Sequence, residues 1–172
     1  MQIAVTRLDA HRDGVQLRVP GYAFMRALPH DLAHFVVEDK LRLNRGFWGS
    51  VADGAEFRGM EWIDGRRKPH AIEKAKGTSK ENADYLSEAE RLVACFEMIV
   101  DGNLDRVSQR AEAELRPALA TVWHPSKAIT PSDIANVCAA WRTMQARWDE
   151  LPVGQALRLE WPSVRSGKRH HR

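Results

Sequence analysis

Two histidines, an aspartate and a glutamate fall within one short run of this chain, Leu28 to Leu43, reading LPHDLAHFVVEDKLRL. On a helix of about 3.6 residues per turn, His30, His34 and Glu38 stand nearly above one another, in a stripe about 80° wide. Imidazole nitrogens and carboxylate oxygens are donors that zinc takes in proteins. Leu32, Phe35, Val36, Val37 and Leu41 fill the rest of the circumference, the pattern of a helix buried on most sides. Two imidazoles and a carboxyl group are therefore carried into an interior. That costs free energy unless each meets a hydrogen bond, an ion or an opposite charge.

The first reading is a divalent metal site, Zn²⁺ or a similar ion, held by His30, His34 and Glu38, with Asp31 as the base that takes a proton from metal-bound water. Imidazoles four residues apart converge on one ion easily, whereas Glu38 lies about 12 Å along the helix axis from His30. Glu56 and Glu61 are therefore alternative third ligands, and His70 a more distant one. Asp31 also has a structural alternative, since an acid in the first turn favours the positive helix end. The second reading is a non-enzymatic protein-interaction domain in which the same four residues form a buried hydrogen-bonded network. The third is a metal-free acid/base site. The first is preferred: a metal-binding protein with metal-dependent hydrolysis as its chemistry, acting on a small molecule or protein that the sequence does not name.

The pentad His30-Asp31-Leu32-Ala33-His34 resembles the HExxH helix of zinc metalloproteases, where two His bind the ion and the acid between them is the base. Asp is one methylene shorter than that Glu. The pentad also resembles the HDxxH of a zinc-motif family involved in ubiquinone biosynthesis. The Glu that follows in that family would fall here at Gly46, so the second half of its motif is missing. The longer string HDLAHFVVE is similar to one in uncharacterised bacterial proteins and implies no activity.

The elements that must position this helix come from a chain of 172 residues, enough for one domain with a real core. We expect a single α+β domain over residues 1–164 and a disordered basic tail at 165–172. The tail holds Arg165, Lys168, Arg169 and Arg172 and no acid, so removing its +4 from the net +3 leaves the body at −1. Weak, non-specific contact with nucleic acid through that tail is the one role the charge suggests. No apolar run is long enough to cross a membrane and no signal segment precedes the first strand, so the expected location is the cytoplasm. Cys95 and Cys138 lie on or beside apolar stripes and read as buried reduced thiols.

Taken in order, residues 2–8 and the alternating 15–19 flank Asp13-Gly14 and read as a β-hairpin. The glycine-rich, aromatic run 44–62 reads as a compact connection capping the core, or as a pocket wall. Residues 64–82, with six Lys or Arg against three acids, read as an exposed loop. Thr78 and Glu81 resemble a capping box for a helix carrying Leu86, Ala89, Val93, Phe96 and Val100. A further helix is expected over Leu104 to Leu115. Another begins at Thr130-Pro131-Ser132-Asp133 and buries Ile134, Val137, Cys138, Trp141, Met144 and Trp148. Residues 156–161 alternate and read as a strand completing a small antiparallel sheet with the hairpin, packed against about four helices.

Overall fold

The computed structural model describes residues 2–8, 14–20, 28–65, 70–101, 129–153, 155 and 157–162. Five helices and three short strands are found among them, an α+β combination dominated by helix. The helices are α1 (His30–Leu41), α2 (Phe47–Ala52), α3 (Ala71–Glu81), α4 (Ala83–Asp101) and α5 (Pro131–Asp149). The strands are β1 (Gln2–Leu8), β2 (Gly14–Pro20) and β3 (Glu61–Asp64).

The core is helical. Helix α1 packs against α5, α4 and α2, and buries Leu32, Ala33, Val36, Val37 and Leu41. Pro29 is its N-cap, and the Pro29 carbonyl accepts from Leu32 and Ala33 at 2.9 and 3.0 Å. A proline loses nothing there because the first helical N–H groups have no intrahelical acceptor. Helix α4 contributes Ala89, Leu92, Val93, Phe96 and Ile99, and α5 contributes Ile134, Val137, Cys138, Trp141 and Met144. Cys95 and Cys138 are buried free thiols, and the apolar surroundings raise the pKa of both. Helix α5 starts at the expected Thr130, and the cap there is a capping box: Thr130 Oγ1 accepts from Asp133 N–H at 3.1 Å, and Asp133 Oδ2 accepts from Thr130 N–H at 3.0 Å.

Three expectations are corrected. Residues 71–81 of the charged run form α3, because lysine and glutamate have helix propensities close to that of leucine and Ala75 is buried. Thr78 is consequently inside α3 rather than at the N-cap of the next helix; α3 meets α4 at the single residue Asn82. The C-terminal strand is not formed either. Leu157 and Leu159 pack on the helical core, and Trp161 meets Phe35 edge to face at 5.6 Å. The strand beside β2 is β3, antiparallel, with Leu17 opposite Trp62 and Arg18 bonded to Glu61 at 3.0 Å. In turn β2 pairs with β1 from Gln2 opposite Pro20 to Leu8 opposite Gly14. The expected helix at 104–115 and the basic tail lie outside the described residues. No helix among the described residues is long and apolar enough to cross a membrane.

Arg42 and Gly77 are among the positions whose residue the backbone does not favour. Arg42 closes α1 in the left-handed region at φ 58°, where a Cβ is strained. Gly77 lies within α3 with nothing within 4 Å of where a Cβ would sit. Arg42→Gly and Gly77→Ala should each raise stability by about 0.5–1 kcal/mol, read as an upward shift of the urea midpoint.

Candidate metal centre

The stripe read from the sequence exists, and it is answered by a second one. Along α4, Glu90 and Glu97 are seven residues apart and share a face at the edge of its apolar stripe. That face meets α1. The His30 and His34 rings stand edge to face with centroids 4.6 Å apart. His30 Nε2 and His34 Nε2 both lie 3.4 Å from the same oxygen, Glu90 Oε2. One donor atom from each of His30, His34 and Glu90 falls within 4.8 Å of the others.

The opposite ring nitrogens each have a carboxyl group of their own. His34 Nδ1 is 2.9 Å from Glu38 Oε1, and His30 Nδ1 is 3.5 Å from Glu97 Oε1. Glu38 is fully buried, and accepts the backbone N–H of Phe47 on Oε1 and that of Trp48 on Oε2, both at 2.9 Å. With those bonds aimed at its oxygens it acts as an acceptor, so His34 Nδ1 carries the hydrogen and Nε2 faces Glu90.

These contacts make α2 part of the site. Its N-cap is Gly46, whose missing side chain leaves the first N–H groups uncapped, and the Glu38 carboxyl group takes that place. The glycine is required: a Cβ at position 46 would lie 2.5 Å from Glu38 Cδ, and one at 49 would lie 2.0 Å from the Asn44 carbonyl oxygen. Trp48 Nε1–H donates to the Asp31 carbonyl at 2.8 Å, tying α2 back to the start of α1. Phe47 stacks on Phe57 at 5.1 Å and lies 6.0 Å from the His34 ring.

Burial by itself would lower the His34 pKa, but the bond to Glu38 and the contact with Glu90 outweigh it and hold the imidazolium up to about 9. His30 is raised too, chiefly by Glu90. Glu90, facing both imidazoles, is held far below the ordinary carboxylate range by His30 first and His34 second.

Of the four residues singled out in the sequence, His30 and His34 are brought together as donors. Glu38 sits behind His34, because the α2 N–H groups claim its oxygens, and the third donor is Glu90. Asp31 is buried but lies about 100° around the helix from His30, outside the donor group. Glu61 pairs with Arg18, and neither Glu56 nor His70 joins the group. Glu90 and Glu97 were missed. Their signal was a pair of acids two helical turns apart flanking Val93. No known protein family, curated protein or solved structure matches the chain.

Gly46→Ala should cost at least about 2 kcal/mol, since the Glu38 side chain has nowhere to retreat. The urea midpoint measures it. In metal-free protein His34 has its folded pKa above the ordinary 6.5, so its stabilisation is complete below pH 6.5 and is lost as pH rises through about 9. Denaturation at stepped pH should show stability falling by on the order of 2 kcal/mol across that window, and His34→Gln should flatten it.

Proposed function

We propose that this protein binds one divalent metal ion, with zinc the first candidate, through His30 Nε2, His34 Nε2 and a carboxylate oxygen of Glu90. The observation that carries the reading is the pair of 3.4 Å contacts from both imidazoles to one Glu90 oxygen. They are long for hydrogen bonds. They match the spacing of about 3.3 Å between neighbouring donors around a tetrahedral ion with bonds near 2.0–2.1 Å. The Glu38 carboxyl group bonded to His34 Nδ1 supports it further, because metal-bound imidazoles usually donate their other N–H to such a partner. His34 Nε2, buried and without a hydrogen bond, is the donor that an ion would satisfy.

Two histidines and a carboxylate with a remaining position for water is the donor set of hydrolytic zinc sites, which makes metal-dependent hydrolysis the chemistry we favour. Glu38 then acts as a support of His34 rather than as a ligand. Asp31 as base has no support from its placement. The second reading, a protein-interaction domain stiffened by a metal-free polar network, is favoured by one observation. Glu38 already bonds His34 Nδ1 at 2.9 Å with no ion present, as a buried polar network would.

Elemental analysis of untagged protein after zinc reconstitution and desalting separates the two. One zinc per chain is expected, abolished in His34→Ala and weakened about 10–100-fold in Glu38→Gln. Affinity should climb with pH, because zinc must displace a proton from His34. Zinc-free protein at every pH would leave the network reading.

A further inference from the structure

We infer that the cleft between α1, α5 and the segment 157–160 is a binding site for a small amphipathic monocarboxylate, whose apolar body lies on the cleft floor and whose carboxylate is held by Arg147 and Arg158. The cleft is on the far side of α1 from His34: Val36 and Lys40, which line it, lie about 200° and 240° around the helix from that residue. The site is therefore independent of the metal reading.

The floor is apolar and already formed. Phe35 and Val36 of α1, Met144 of α5 and Leu159 line a cleft of about 490 Å³. Small-molecule sites usually enclose about 300–1,000 Å³. Val36 and Met144 are buried members of the core, and Phe35 and Leu159 pack against it. The Phe35 ring is held edge to face by Trp48 at 6.2 Å and by Trp161 at 5.6 Å. The hydrocarbon part of a ligand thus meets a surface whose side chains are already ordered, and gains free energy in proportion to the apolar area it covers.

The rim selects the head group. Lys40 Nζ is bonded to Asp39 Oδ2 at 2.8 Å, so these two charges offset one another. Arg147 and Arg158 reach the cleft from different elements, both are exposed, and neither has a hydrogen-bond or ion-pair partner among the described residues. Glu160 is the remaining acid of the lining, which leaves an excess of one positive charge. A single carboxylate supplies the matching charge, and the planar guanidinium fork offers it two parallel N–H groups.

Calorimetric titration of the full chain with octanoate, 1-octanol and octylammonium tests this. Octanoate should bind once per chain, octanol about fivefold more weakly or worse, and octylammonium without saturation. Arg147→Gln and Arg158→Gln should each weaken octanoate about three- to tenfold and leave octanol and the urea midpoint unchanged, because both side chains are exposed. Glu160→Gln should tighten octanoate. Thr143→Trp, which fills the cleft from an exposed position on α5, should abolish binding of octanoate and octanol alike. Octanoate that does not saturate, or that binds no better than octanol, would overturn recognition of the carboxylate. Octanoate affinity unaltered in both arginine variants, or in Thr143→Trp, would put the ligand elsewhere and overturn the inference.

Discussion

Glu38 is the constraint on which the rest of the site depends. A carboxyl group with no exposed surface, set among Leu41, Val37 and Trp48, carries a desolvation cost of several kcal/mol unless its oxygens are bonded. Here they receive three N–H groups, two from the backbone of α2 and one from His34. Each donor has its own need of the acceptor. The α2 N–H groups have no cap, and the His34 ring is buried with its Nδ1 facing inward. Removing the carboxyl group would leave all three unpaired, and unpaired buried donors cost more than the net worth of the bonds lost.

That local solution propagates outward. Gly46 is demanded by the approach of α2 to Glu38, and Gly49 by the turn of the chain over Asn44. The far side of the same segment is tied down by Asn82, the hinge residue between α3 and α4. Its Oδ1 accepts from Arg45 Nε at 2.7 Å and its Nδ2 donates to Ser50 Oγ at 2.9 Å. Arg45 also lies over the Tyr85 ring at 4.2 Å. The short α2 is thus held between α1 and the start of α4, the two helices whose faces carry the histidines and the acids.

The sequence was most legible where a pattern was local. The His30/His34/Glu38 stripe, the helix start at Thr130-Pro131 and the Ile134 to Met144 stripe depend on residues a few positions apart, and the structure has all three. It was less legible where partners come from distant segments. Glu90 stands on another helix, where its spacing of two turns from Glu97 is a weak mark that an acid pair on a solvated face shares. Glu38 had the type and spacing of a ligand; its real role depends on backbone N–H groups that no side-chain pattern displays. The charged run at 64–82 has the composition of an exposed loop because it buries little, yet burial and helix propensity are separate quantities, and 71–81 is helical. The alternation at 156–161 is real, but a period of two needs a free strand edge beside it, and helices α1 and α5 offered apolar surface instead.

One question of charge distinguishes the two occupants the site can have. Two imidazoles with centroids 4.6 Å apart repel when both are protonated, and each lowers the other's tendency to hold its proton. A single Glu90 oxygen at 3.4 Å from both cannot bond well to either without drawing away from the other. With protons, then, the arrangement leaves one imidazole well served and its neighbour poorly served. Under the proposed metal reading, His30, His34 and Glu90 would hold a doubly charged ion with no proton on either Nε2, and His34 Nδ1 would keep its bond to Glu38. One carboxyl group near each Nδ1 and one shared in front is the arrangement that the proposed metal reading would use.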